Sequence, residues 1–156
     1  MLKNWNKPRC PEEEELLTRL KAARERLTVQ QMQIKEKKLP VLILFEGWGA
    51  AGKGSVLGKV IRNIDPRFFQ VATMGKPTEE EARKPFLYRY FVQIPEAGKF
   101  KFLDGGWMDE ITQAVLYKKT DEEHYKEQIE SVRRFERQLT DNGYLVVKFF
   151  FQISEK

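Results

Sequence analysis

The sequence predicts an α/β protein of three layers, α/β/α, with a mainly parallel sheet and a leading N-terminal helix. Three observations predict it. The run Val41-Leu42-Ile43-Leu44-Phe45 is apolar without alternation, as in a strand buried on both faces, and such strands belong to parallel sheets flanked by helices. Further strand-like runs at 69–74, 99–104 and 144–151 are separated by helix-periodic stretches, the rhythm of βα units. The first run also empties into Gly47-Trp48-Gly49-Ala50-Ala51-Gly52-Lys53-Gly54-Ser55, behind which Val56, Leu57, Val60, Ile61 and Ile64 keep helical spacing.

Strand, glycine loop and helix in that order read as a phosphate-binding loop, with Gly47, Gly52 and Lys53 meeting the pattern G-x-x-x-x-G-K. Glycines let successive backbone N–H groups turn inward around an anion, and the following helix directs its positive end to the same place. Lys53 adds a mobile cation. The residue after the lysine, which ordinarily carries a hydroxyl for magnesium, is Gly54, with Ser55 one place on.

A chain of 156 residues has the size of one domain, and 41% hydrophobic against 33% charged residues describes a globular protein with a strongly solvated surface. The expected division is a leading helix over residues 1–39 that covers the core and a phosphate-loop core over 40–156. No apolar run reaches the roughly 20 residues of a membrane helix, and the N-terminus lacks the apolar centre of a signal peptide, so a cytoplasmic location is expected. Cys10 has no cysteine to pair with and makes no metal constellation with the single histidine. The net charge of +5 implies a polyanionic partner. Nucleic acid ranks below polyphosphate or a nucleotide, because no nucleic-acid signature accompanies the charge.

In chain order, Leu16, Leu20, Ala23, Leu27 and Ile34 define the stripe of a helix from Pro11 to about Lys38, acidic at its start and basic at its end as the helix dipole favours. After the loop helix, Asp65-Pro66-Arg67 turns the chain into the second strand, which ends at Gly75-Lys76-Pro77-Thr78. Thr78 and Glu81 form a capping box that opens a helix burying Phe86, Leu87, Tyr90, Phe91 and Ile94, bent or restarted at Pro85. Lys76 leaves the carboxyl end of a strand, where open α/β sheets bind ligands. The third strand ends in Asp104, placed to hold magnesium beside the loop or else to cap the helix Trp107–Leu116. Thr120 and Glu123 form a second capping box for a helix through Leu139, Gly143 ends it, and the fourth strand follows. Phosphate-loop kinases close a basic lid over the phosphates, commonly after the fourth strand, and the expectation is a core truncated before that lid.

Taken together, these motifs resemble the polyphosphate kinase 2 family, which has a P-loop kinase-like fold. The resemblance rests on Phe45-Glu46-Gly47 with Ala50-Ala51-Gly52-Lys53-Gly54, on Asp65-Pro66-Arg67, Lys76-Pro77-Thr78, Arg89-Tyr90 and Pro95-Glu96-Ala97-Gly98, and on Asp104 with Trp107 and Phe135-Glu136-Arg137 leading to Val147-Lys148-Phe149. The variant loop Gly47-Trp48-Gly49 and the run Leu103 to Glu110 look most like one half of the two-domain polyphosphate:AMP phosphotransferases. The resemblance implies transfer of a phosphoryl group between inorganic polyphosphate and a nucleotide (AMP, ADP or ATP) with Mg2+. Lys53 and Asp104 would be catalytic. Gly47, Gly49, Ala50, Ala51, Gly52, Lys53, Gly54, Ser55, Lys76 and Arg89 would bind phosphate or nucleotide, and Asp104 with Ser55 would hold the metal. A second copy, or a partner domain of the same longer chain, is a further expected partner.

Two departures bear on activity. Where the family usually has an aspartate inside the loop this chain has Gly49, and where it usually has Asp-Arg-Ser-Trp-Tyr this chain has Asp104-Gly105-Gly106-Trp107-Met108. Loss of a carboxylate and an arginine motivates an alternative reading, a non-catalytic domain with a structural or regulatory role beside an active one. Asp109 and Glu110 are a candidate replacement for the lost ligand, set against the simpler reading that acids favour the first turn of a helix.

Overall fold

The computed structural model describes residues 11–153, so Cys10 lies outside the described residues. Its sheet has four parallel strands, β1 (Val41–Gly47), β2 (Phe69–Thr73), β3 (Phe100–Asp104) and β4 (Leu145–Phe151), in the order β2-β3-β1-β4. Central β1 is covered on both sides, with Val41, Leu42, Leu44 and Phe45 at most 2% exposed. That burial is why its sequence does not alternate. Leu42 and Leu44 join Leu103 in a core against helices α5 (Trp107–Leu116) and α6 (Glu122–Asp141), through Trp107, Ile111, Val132, Phe135 and Leu139. On the other face Val41 and Phe45 join Phe100 and Phe102 against Leu57 of α2 (Lys53–Ile61) and, less deeply, Leu27 and Ile34 of α1 (Glu13–Glu36). The three-layer α/β/α arrangement follows.

Only the second half of the predicted α1 stripe meets the core. Leu27 and Ile34 pack, and Gln31 is buried with its Oε1 accepting the Asp65 N–H at 3.2 Å, whereas Leu16 and Leu20 are each 42% exposed and Ala23 is exposed too.

The helix expected to run on from Thr78 is two short ones, α3 (Glu79–Ala82) and α4 (Tyr88–Phe91). Pro85 lies between them; it lacks a donor and pushes the preceding residue out of the helical region. Tyr90 is buried as expected, while Phe91 is 48% exposed. The Thr78 box is present, Glu81 N–H donating to Thr78 Oγ1 at 3.2 Å and Thr78 N–H to Glu81 Oε2 at 2.9 Å. Thr78→Ala should therefore lower stability by about 1 kcal/mol, read as a shifted urea midpoint with an unchanged slope. The second box does not form, and the cap stands one residue later. Asp121 caps α6, its Oδ1 accepting from the His124 N–H at 2.8 Å, and the Thr120 hydroxyl donates instead to the Asp121 carbonyl at 3.4 Å. Gly143 ends α6 with φ +80.

Connectivity positions the site. The chain leaves β1 through α2 on one face and leaves β3 through α5 on the other, although the two strands are neighbours. A crevice opens at their carboxyl ends, where the directions diverge.

Candidate active site

The glycine loop fills that crevice. Gly47, the last residue of β1, pairs with Phe151 of β4, and a Cβ there would overlap the Phe151 backbone, so no larger residue fits. The loop turns through Ala50 (φ +59) to Gly52 (φ +85), the N-cap of α2, and places Gly49 and Ala50 at the surface. Lys53 curls back over the turn, its Nζ donating to the carbonyls of Gly47 at 2.7 Å and Trp48 at 3.0 Å. This charge lies at the mouth of a cleft of about 910 Å³ whose walls include Lys53, Lys76, Asp104, Asp109, Glu110 and Tyr117.

Asp104 ends β3 in register with Phe45, and the adjoining backbone is laced to both neighbours: Gly105 N–H donates to the Phe45 carbonyl and Met74 N–H to the Asp104 carbonyl, each at 2.9 Å. A Cβ on Gly54 would stand 3.7 Å from Asp104 Oδ2, so the carboxylate overlies the start of α2. It does not cap α5, whose N-cap is Gly106 without a side-chain bond. Ser55 is exposed on α2 and Ala51 and Gly54 complete the loop beside it.

Lys76 stands on the cleft wall as its strand-end position suggests, but Arg89 is elsewhere. It is 6% exposed and spent within the protein: Nη2 donates to the Gly75 carbonyl at 2.8 Å, and Nη1 lies 3.5 Å from Glu110 Oε2. The Tyr90 hydroxyl donates to the same Glu110 oxygen at 2.8 Å. Burial and the Glu110 charge push the Tyr90 phenol far above its usual range, so it remains a donor. Arg89 thus braces the turn that carries Lys76.

Two acids gain a place in the site: Glu46, which the sequence left without a role, and Asp109, which the sequence offered as a candidate replacement ligand. Glu46, at the end of β1, is 4% exposed, and its Oε1 accepts the Met108 N–H at 2.9 Å. Burial raises its pKa to about 7 against the pull of that bond; Asp109 and Glu136 add to the rise and Lys148 opposes it. Asp109 reaches back from α5 in the opposite sense, Oδ1 accepting the Gly47 N–H at 2.8 Å. Its pKa is raised by burial and by Asp104 and lowered by the Gly47 bond and by Lys53. The start of α5 is pinned in turn by Trp107, fully buried, whose Nε1 donates to Glu136 Oε1 at 2.9 Å while Lys148 Nζ donates to the same oxygen at 2.7 Å. A charged residue closing an apolar run was the available signal for Glu46. For Asp109 the signal was an acid close behind the altered run at 104–108, but its partner Gly47, 62 positions away, is not legible in the sequence.

A model of the polyphosphate kinase 2 family matches residues 11–156. The chain belongs to the polyphosphate kinase 2 family. Among its relatives, a polyphosphate:AMP phosphotransferase of Pseudomonas syringae pv. tomato is 33% identical over 86% of this chain and 27% of that protein. An ADP-polyphosphate phosphotransferase of Rhizobium meliloti is 30% identical over 85% of this chain and 46% of its own length. A crystal structure assigned to polyphosphate kinase 2 from Pseudomonas aeruginosa PA01 superposes with a TM-score of 0.91 at 28% identity, covering 99% of this chain and 34% of that one. The chain therefore spans less than half the length of these family members. Among the described residues no helix is long and apolar enough to cross a membrane.

Magnesium, which the resemblance implies, fits the oxygen donors Asp104 and Asp109. Among the described residues no group of three or more His, Cys, Asp or Glu side chains could hold a metal ion unaided. Magnesium does not require one, since it commonly takes one or two carboxylates and fills the remaining positions with phosphate oxygens and water.

Proposed function

We propose that this domain binds inorganic polyphosphate and a nucleotide in the cleft between the glycine loop and Lys76, and moves a phosphoryl group between them. One observation carries the reading: Lys53, which closes the glycine loop, and a carboxylate pair, Asp104 with Asp109, line one cleft at the switch point of the sheet. A terminal phosphate oxygen of the nucleotide would attack a polyphosphate phosphorus, forming one P–O bond as the bond to the shortened polyphosphate breaks. Lys53 neutralises charge on the transferring group, Lys76 holds the polyanion, and Asp104 with Asp109 would hold magnesium. Bound magnesium supplies charge neutralisation across the phosphate oxygens. Ser55 and the loop residues Gly47 to Gly54 complete the phosphate cradle in this reading, and Arg89 contributes by bracing Lys76. The relatives' names, which include AMP and ADP, support a nucleotide as the acceptor. A cytoplasmic setting and a core over residues 40–156 led by the helix of 1–39 belong to the same reading.

Titration with polyphosphate, with and without magnesium and at two salt concentrations, tests it. Binding that is magnesium-sensitive and lost with Lys53 supports a working cradle, and an assay of phosphoryl transfer between polyphosphate and AMP or ADP then tests the transfer itself. Weak binding that falls steeply with salt and ignores Lys53 rejects it.

A second reading, a non-catalytic domain beside an active one, draws on Gly105. Its φ of +91, with a would-be Cβ 3.1 Å from the Met74 carbonyl, disfavours an arginine where the family usually has one. Turnover by this domain alone, abolished by Lys53→Ala, would reject that reading.

A further inference from the structure

We infer that Asp109 is the carboxylate that replaces, from α5, the one missing from the loop at Gly49, and that Glu46 is the positioning residue that aims it. The inference rests on the proposed phosphate site and concerns how this chain completes it.

The two departures at the site occur together with two compensating contacts. At Gly49 the loop offers no side chain, and Asp109 approaches from outside to accept the N–H of Gly47, two residues earlier. It does so on the cleft wall that also carries Lys53 and Asp104. One oxygen of Asp109 is engaged by the loop, and a carboxylate has further lone pairs to offer a cation. At Gly106 the missing side chain leaves the space that Glu46 occupies: a Cβ there would overlap Glu46 Oε1 and come within 2.8 Å of Leu44 Cδ2. Glu46 uses that space to accept the Met108 N–H, immediately before Asp109. The strand end and the helix start are thereby joined by two carboxylate bonds of opposite direction, Glu46 to Met108 and Asp109 to Gly47. An α5 fixed in this way presents its first-turn acid to the loop, and substitution at 106 would displace the residue that fixes it.

Gly49 makes the idea testable, because a Cβ built there meets no atom within 4 Å and the site accepts a side chain. The experiment titrates the 156-residue chain with Mn2+ as a paramagnetic substitute for magnesium, in the presence of inorganic tripolyphosphate, and follows free Mn2+ by electron paramagnetic resonance. Asp109→Asn should weaken Mn2+ binding about tenfold or more. Its amide oxygen still accepts the Gly47 N–H, so an unchanged circular dichroism melt would separate ligand loss from unfolding. The double variant Gly49→Asp/Asp109→Asn should recover most of that affinity by restoring a carboxylate on the loop. Glu46→Ala should weaken Mn2+ binding, with Glu46→Gln, which keeps an acceptor for Met108, retaining most of it.

Mn2+ binding that survives Asp109→Asn but is lost with Asp104→Asn would overturn the inference while leaving the phosphate site standing. So would a folded Asp109→Asn that binds weakly and gains nothing from Gly49→Asp. No Mn2+ binding by the unaltered chain with tripolyphosphate, together with indifference to Lys53→Ala, would reject the phosphate site itself and this inference with it.

Discussion

Lys53→Ala is expected to weaken polyphosphate binding by roughly ten- to a hundredfold, the range of one lost charge-assisted hydrogen bond, about 1.5–3 kcal/mol. The lysine is held ready for that role. Its ammonium is tethered to the Gly47 and Trp48 carbonyls at 2.7 and 3.0 Å, which keeps it over the loop rather than free in solvent. Calorimetric titration at two salt concentrations separates this contact from the general attraction of a chain with net charge +5. Loss of one phosphate contact should also reduce the salt dependence by about one released counterion. Substituting a lysine that merely contributes to the general field, such as Lys59 on the exposed side of α2, should cost far less affinity. Equal effects of the two substitutions would make the interaction a diffuse one and remove the loop from it.

The second large effect concerns stability and pH. Glu46 has its pKa raised from 4.5 to about 7, chiefly by burial. A carboxyl raised on folding is protonated in the folded chain and ionised in the unfolded one between those two values, so unfolding releases a proton there. Stability should accordingly fall as pH rises from about 4.5 to 7 and level off above it, by about 3 kcal/mol from this group. Glu46→Gln keeps the shape and the acceptor for Met108 but cannot ionise. Its stability relative to the unaltered chain should rise through that window and be greatest near neutral pH. Urea unfolding of both proteins at pH 5 and pH 8 measures the difference. A gap that does not change with pH would mean that the carboxylate is solvated or paired well enough to lose the predicted cost. The groups that set the shift are Asp109 and Glu136, which raise it, and Lys148 and the Met108 N–H, which lower it. Lys148→Met, removing the one nearby cation among them, should therefore move the window to higher pH.

Much of the architecture is written in local pattern. The buried run of β1, the periodic stripe of α6 and the strand–loop–helix around Lys53 each report their own environment, because burial on both faces, burial on one face and a tight anion-binding turn demand different residues at short range. The errors occur where local rules compete or run out. Of the two outcomes the sequence allows at Pro85, a bend or a restart, the structure has the restart, since a proline ring disfavours helical geometry on its preceding residue as well as removing a donor. The cap of α6 is Asp121 rather than Thr120, and because both residue types can cap, local pattern alone does not choose between adjacent candidates. The stripe of α1 extends past the sheet it was expected to cover, and no feature of a helix's own sequence records the length of its support.

The sequence by itself determined the family, the order of the strands' appearance, the loop and its lysine, and the acid at the end of the third strand. Each is specified by neighbours in the chain. Only the tertiary structure decided that the Arg89 guanidinium bonds Gly75 and Glu110, that Glu46 is buried in the space left by Gly106, and that Asp109 reaches the loop. These depend on contacts between residues 14 to 62 positions apart, and they come from the packing of α5 across the ends of two parallel strands. Parallel neighbours are joined only through long crossovers, so the groups that meet at their ends cannot be close in sequence.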